Sequence, residues 1–461
     1  MGELRGSDLT TVADQLGREP TTPFTVVARC PDGHPLVIRN EPYGADGKPF
    51  PTLFWLTCPA ASKAVSRLES EGWITRLNDR LADEAVLSAA IERAHDEYAN
   101  ERARGHLGAE AFGGVGGTRT GVKCLHAHYA NHVAGGDDPV GRWTAERIEQ
   151  VHDERPGRVA AIDQGTNSIR LLVAEPEDDG GFRELARDMV ITRLGQGVDR
   201  TGTIAPEALE RTVGVLARYC RRARALHAER IRVAATAAVR DASNRDDLAR
   251  AVLEHAGSEL EVLSGEEEAA LSFLGGTRGL DAPGPFLVLD IGGGSTEFVV
   301  GTDAPDAAIS VQMGSVRLTE RFDPHDPPTA EEVDAMRTFV RDRLDEVAGA
   351  VPVGDARTLV AVAGTSTTAQ AIALGLPHDD PEAIHRTTLA RSAAERVLRQ
   401  LADMTTAERA ALPVMAPGRA DVIVAGAVIL VEVMGRFAFE DALVSETDIL
   451  DGLALEMLAE R

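Results

Sequence analysis

The sequence predicts an α/β protein with two similar halves facing a cleft, preceded by a separate small α+β domain. Three observations lead there. From about residue 157, strand-length apolar runs alternate with Ala/Leu/Arg-rich amphipathic stretches, the pattern of α/β layers. Two stretches, "AAIDQGTNSIRLLVA" and "LVLDIGGGSTEFVVG", share one plan of strand, Asp, glycine turn and second strand. Asp163 matches Asp290 and Gly165 matches Gly292, an offset of 127 residues (290 minus 163) that suits two related subdomains rather than a short repeat. The texture also changes near residue 135, and all three Lys and three of the four Cys lie before that point.

At 461 residues the chain is too long for one ordinary core. We divide it into an N-terminal domain over 1–135, a linker over 136–156, and two further domains over 157–285 and 286–461. The linker rests on the polar, Gly- and Pro-containing stretches "AGGDDPVGRW" and "HDERPGR". Aromatic residues make up only 4% of the chain, so the cores rely on Ala, Val, Leu and Ile.

The elements follow in order. "RVAAIDQGTNSIRLLVAE" reads as strand, turn and strand, and 206–228 as an amphipathic helix. "IRVAATAAVR" reads as a strand entering a loop, and "LEVLSGEEEAALSFLGG" as a strand feeding a helix. "FLVLDIGGGSTEFVV" is an apolar strand broken by three glycines. "TLVAVAGTSTTAQAIA" is a strand, a Gly-Thr turn and a helix start. The stretch 419–434 is helical, and 442–461 is a strand, a turn and a last helix.

Charge narrows the function. A net charge of -25 argues against nucleic-acid binding, which needs a basic footprint. A polyanionic substrate must then be met by local Arg, by backbone N–H groups or by a bound cation. No Lys follows residue 151, which excludes a P-loop there. The start of the chain lacks the apolar core of a signal peptide, and the apolar run "VIVAGAVILV" is too short to span a bilayer. A cytoplasmic protein is expected, with no membrane partner. Four Cys in so long a chain do not suggest a disulfide scaffold.

The two glycine turns carry the chemistry. Successive N–H groups of such a turn form an anion-binding nest, and an Asp at the incoming strand end suits Mg²⁺. One turn alone could be a plain hairpin; two matched copies point to phosphate held between halves. In "SGEEEA", Ser264 and Glu267 fit a capping box, and Glu266 and Glu268 suit the helix dipole. One of the three acids could instead be a general base, and spacing leaves all three open. Arg240, beyond a strand end, is either a phosphate ligand or a surface Arg. In the N-terminal region, Cys30, His34, Cys58, Cys124, His126, His128 and His132 are candidate zinc ligands, against buried Cys with ordinary surface His. In a strand, Cys124, His126 and His128 would share a face.

From about 156 to 461 the chain resembles the exopolyphosphatase and guanosine pentaphosphate phosphohydrolase family of the actin-like ATPase superfamily. The stretches that carry this are "AAIDQGTNSIRLLVAE", "VAATAAVRDASN", "LSGEEEAALSFLGG", "VLDIGGGSTEFVVG", "MGSVRLTERF", "VAGTSTTAQAIA" and "RADVIVAGAVIL". The resemblance implies two ribonuclease-H-like domains around a cleft and removal of a terminal phosphate by water with Mg²⁺ or Mn²⁺. It puts the catalytic base on Glu268 and the metal on Asp163, Asp290 and Glu297. It puts phosphate on Gly165, Thr166, Asn167, Ser168, Arg240, Gly292, Gly293, Gly294, Ser295 and Thr296. Gln164, Thr166 and "SETDILDG" depart from the family pattern. The chain also ends without the helical extension of longer members, which favours a short chain, a nucleotide or a modest oligophosphate. The expected substrate is polyphosphate, with guanosine pentaphosphate or a nucleotide-binding regulatory role as alternatives and a homodimer as an open assembly. Residues 20–145 resemble a small actinobacterial domain of unknown function, which implies no activity.

Overall fold

The computed structural model describes residues 8–43, 50, 52–103, 113–148 and 157–460. The chain divides into two compact units. One comprises Met1–Ala160, Leu172–Asp188 and Leu216–Ile231; the other comprises Ala161–Leu171, Met189–Val215 and Arg232–Arg461.

The first unit opens with a three-stranded antiparallel sheet, β1 (Phe24–Arg29), β2 (Pro35–Asn40) and β3 (Phe54–Leu56). Alternate residues Phe24, Val26 and Ile38 bury against Val12 of the helix Asp8–Leu16. Arg29 ties that helix down with two hydrogen bonds of 2.8 Å to Asp8, both side chains buried. Further helices span Pro59–Ser70, Trp73–Asp83, Ala85–Ala103, Leu125–Val133 and Pro139–Ile148. The last of these corrects the sequence reading, because it occupies part of the expected linker. Asp138 accepts a 2.8 Å bond from the Gly141 N–H at its start, and Val140, Thr144 and Ile148 are buried on one face. The remaining linker residues 149–156 lie outside the described residues. Within the same unit, Arg218 donates to Glu101 at 2.8 Å and Arg221 to the Gly135 carbonyl at 2.8 Å. Both arginines come from the helix Pro206–Ala225, so the N-terminal elements are fastened to it.

A five-stranded sheet follows, built from β4 (Val159–Gln164), β5 (Ser168–Pro176), β6 (Phe182–Ile191), β7 (Arg230–Ala235) and β8 (Leu260–Val262). Its order is β6-β5-β4-β7-β8, with β7 and β8 parallel. The expected loop after β7 is instead the short helix Ala237–Asp241, started when the Val239 and Arg240 N–H groups turn back to Thr236 O.

The second unit contains a six-stranded sheet of β9 (Phe286–Ile291), β10 (Thr296–Gly301), β11 (Pro305–Val311), β12 (Thr358–Val362), β13 (Thr387–Ala390) and β14 (Asp441–Val444). Its order is β11-β10-β9-β12-β14-β13. The centre, β9-β12-β14, is parallel, and the flanking strands are antiparallel. β9 is buried at every residue, as its unbroken apolar run requires. The apolar run near 422–431 is the interior of the helix Ile423–Arg436, packed into the main core with Leu287, Leu289 and Phe298. Its one acid, Glu432, is paired with Arg337 and Arg341, each at 2.6 Å. No described helix is long and apolar enough to cross a membrane.

Candidate active site

Both glycine turns lie in the second unit, between β4 and β5 and between β9 and β10. They are closed by the same hydrogen bond: Gly165 N–H to Ser168 O at 2.9 Å, and Gly292 N–H to Ser295 O at 3.0 Å. Their carbonyls are tied back in the same way. Thr166 O accepts from Gly195 N–H, and Asn167 O from Thr192 and Arg193 N–H, at 2.9–3.0 Å. Gly292 O and Gly293 O accept from the N–H groups of Ser315, Val316 and Arg317, and Gly294 O accepts from Arg317 Nε at 2.8 Å. Among the described residues, the N–H groups of Thr166, Asn167, Gly293 and Gly294 donate to no carbonyl. Each turn therefore offers donors forward while its acceptors are used behind, which makes an anion nest. The second turn also rests on the first, since a Cβ on Gly294 would lie 2.8 Å from Thr166 Oγ1.

The cleft over these turns encloses about 110 Å³, room for several water-sized groups. Gly165, Thr166, Asn167, Ser168, Gly292, Gly293, Gly294 and Ser295 line it, with Asp163, Asp290 and Glu268. Three expected site residues stand outside the lining. Thr296 is fully buried, its hydroxyl bonded to Met313 O, so that side chain is structural. Glu297 sits in β10 directly opposite Asp290 and accepts from Ser310 Oγ at 2.7 Å. Arg240 donates to Leu263 O at 2.7 Å and to Glu268 Oε2 at 3.3 Å, a backbone carbonyl and an acid.

The three acids of "SGEEEA" separate cleanly. Glu267 makes the capping box with Ser264, at 2.8 and 3.2 Å, on the helix Gly265–Thr277. Glu266 is exposed at the helix start. Glu268 is buried and lines the cleft. Burial, with Glu297 and Asp290 nearby, pushes its carboxyl well above the usual range, and Arg240 opposes this. Burial and then Asp290 raise Glu297 to about 8, and burial and then Asp448 raise Asp290 to about 6. Burial raises Asp163 as well, against Arg170.

Several partners have no signal in the local sequence. Arg170, from β5, donates to Asp163 Oδ2 from Nε at 3.0 Å and from Nη2 at 2.7 Å, and its Nη1 bonds Asp448. Burial disfavours its charge, but Asp448 and Asp163 outweigh that and hold it protonated. Ser272 donates to Asp290 Oδ2 at 2.6 Å. Arg419 lines the cleft and donates to Thr368 Oγ1 at 2.7 Å. The turn expected after β12 is absent, because the helix Ala363–Leu374 begins directly, with Ala363 held at φ +63° in the cleft wall.

The acidic wall suits a hard divalent cation, which prefers oxygen ligands. Asp163 and Asp290 line the cleft and each keep a carboxylate oxygen beyond the bonds already given, whereas Glu297, outside the lining, is bonded by both Ser295 and Ser310. Asp163 Oδ1 in particular is buried with no hydrogen-bond partner among the described residues.

The N-terminal zinc candidates do not form one cluster. Cys30 and Cys58 are buried together, and hydrogen bonding between them lowers Cys58 to about 6 and raises Cys30. Cys30 also groups with Asp32 and His34. Cys124 and His126 group with Glu69. His128 is fully buried on Asp138, 2.8 Å away, and burial pushes His132 down to about 4. The segment after Cys124 is the helix Leu125–Val133, not a strand, so side chains two apart no longer share a face.

Comparison with known proteins follows the same division. The model of the Ppx/GppA phosphatase family matches residues 172–461, and that of a protein family of unknown function, DUF501, matches 26–146. Exopolyphosphatase 2 of Mycobacterium tuberculosis is 46% identical over 315 residues, 65% of this chain and 98% of that one. The crystal structure of an exopolyphosphatase-like protein is 37% identical with a TM-score of 0.63, covering 66% of this chain and 99% of that one. The Aquifex aeolicus member of the Ppx/GppA family is 31% identical with a TM-score of 0.58, covering 66% and 98%.

Proposed function

We propose that this chain, which belongs to the Ppx/GppA phosphatase family and is a phosphoanhydride hydrolase, removes the terminal phosphate of inorganic polyphosphate with water as acceptor. One observation carries the reading: two tied-back turns offer four N–H donors beside a buried carboxylate, Glu268. The N–H groups bind the non-bridging oxygens of the terminal phosphate. They are held in place before the reaction, so they stabilise developing charge without reorganising. Glu268 takes a proton from the attacking water as its oxygen bonds to phosphorus. The bridging P–O bond breaks, and its electron pair leaves on a chain one unit shorter. Arg240 positions Glu268 and favours its ionised form.

A divalent cation, Mg²⁺ or Mn²⁺, held by Asp163, Asp290 and Glu297, would supply charge neutralisation of the phosphate oxygens when bound. In this reading the jaws are 157–285 and 286–461. The name of the 46% identical relative favours polyphosphate over guanosine pentaphosphate.

Phosphate release from polyphosphate tests this. Glu268→Gln should lower the rate by about 10²–10⁴ with the fold intact. Full activity in that variant removes Glu268 from its role. Faster turnover of guanosine pentaphosphate than of polyphosphate by the wild-type protein overturns the substrate.

A further inference from the structure

None of the sulfur and imidazole groups of the first unit lines that cleft. Cys124 is the N-cap of the helix Leu125–Val133, and His126 lies in its first turn. Glu69, near the end of the helix Pro59–Ser70, reaches the same point. Its Oε1 accepts the Leu125 N–H at 2.7 Å and lies 3.2 Å from His126 Nδ1. Glu69, Cys124 and His126 each bring one ligand atom within 4.8 Å of the other two.

The far side of the imidazole fixes its tautomer. His126 Nε2 is 3.1 Å from Ser62 O and 3.2 Å from Ser66 Oγ. A backbone carbonyl can only accept, so Nε2 carries the proton. In the neutral ring Nδ1 is then a lone pair facing the Glu69 carboxylate. Cys124 and then Glu69 hold a second proton on this nitrogen and raise the ring to about 9, so a cation bound here takes the place of that proton among the three groups.

We infer that Glu69, Cys124 and His126 form a zinc site with three protein ligands and one open position. The mixed S, N and O donors suit Zn²⁺, and three ligands plus an exchangeable position is the arrangement of reactive rather than purely structural zinc. Ser62 O orients the His126 ring and the Leu125 N–H orients the Glu69 carboxylate, as outer partners of metal ligands do. A Cys–His–carboxylate relay would place thiol and carboxylate at opposite ring nitrogens. Here the nitrogen opposite Glu69 is occupied by Ser62 O, so the relay geometry is missing. The alternative group of Cys30, Asp32 and His34 has its carboxylate and imidazole exposed on a hairpin turn. On binding, the Cys124 thiol gives its proton to solvent as the S–Zn bond forms.

The test is metal analysis of the full-length protein after equilibration with zinc and exhaustive dialysis, and it is independent of the phosphatase reaction. About one zinc per chain is expected, falling below about a tenth in Cys124→Ser and in His126→Ala. Asp32→Asn/His34→Ala should keep its zinc. A wild-type chain that retains none overturns the site, as does zinc that survives His126→Ala and is lost with Asp32 and His34. Cobalt substitution guards against misfolded variants: the wild-type protein should show a thiolate-to-cobalt charge-transfer band, absent in Cys124→Ser. A wild-type cobalt protein without that band also overturns the site.

Discussion

Glu297 stands directly across the β9–β10 ladder from Asp290, both buried in the same wall. Burial disfavours the ionised form of both: burial and then Asp290 raise Glu297 from 4.5 to about 8, and burial and then Asp448 raise Asp290 from 3.8 to about 6. A carboxyl raised on folding binds its proton more tightly in the folded chain. Its stabilising effect is complete below the ordinary value and is lost as pH rises through the folded one. In chelator, the melting temperature should therefore fall between about pH 4.5 and 8. Magnesium should restore it most at the upper end, and Glu297→Gln should flatten the slope. A melting temperature that climbs across this range in chelator contradicts the assignment.

Arg240 predicts a different pH effect. It lowers the Glu268 carboxyl through a 3.3 Å contact. Arg240→Ala should move the acid limb of the pH–rate profile to higher pH and reduce kcat more than it raises KM. A phosphate ligand would instead raise KM with the limb unmoved, so steady-state kinetics across pH separates the roles.

Arg170 joins Asp163 to Asp448. Its removal leaves two buried carboxylates without a counter-charge, and Arg170→Ala should cost about 3–5 kcal/mol. Denaturant melts of Arg170→Met/Asp448→Asn should show a smaller loss than the single change. Equal losses would mean that the charge pairing is not what Arg170 contributes.

Gly314 is a purely steric case. A Cβ there would lie 2.3 Å from Gly293 O, a backbone atom that cannot rotate away. Gly314→Ala should cost about 3 kcal/mol and weaken phosphate binding. Gly214 has nothing within 4 Å of such a Cβ and sits inside a helix, so Gly214→Ala should gain up to about 1 kcal/mol. Comparing their thermal melts decides whether space behind the turn matters.

Much of the second unit was legible in the sequence because its signals are local. Strand, Asp, glycine and hydroxyl residues announce each turn within ten positions, and their repetition gives the paired architecture. Glu268 could not be separated from Glu266 and Glu267 by spacing, because what distinguishes it is burial among distant acids. Arg170 and Asp448 are 278 positions apart, and no local pattern links them. Thr296 had the right chemistry but the wrong phase, since its hydroxyl turns back to Met313 O. The helix Pro139–Ile148 was hidden by its Gly and Pro content, although Pro at a helix start is favourable.

The contact of Gly294 with Thr166 has a kinetic consequence. On the proposed reading, a terminal phosphate held by both turns has their backbone behind it, so a polymer would enter by its tip rather than be threaded past them. It would dock by its tip, lose one unit, back out or advance by one step, and dock again. Any grip that lasts from one cut to the next has to come from surfaces nearer the mouth, so turnover per encounter and rate per cut should be separable properties of this molecule.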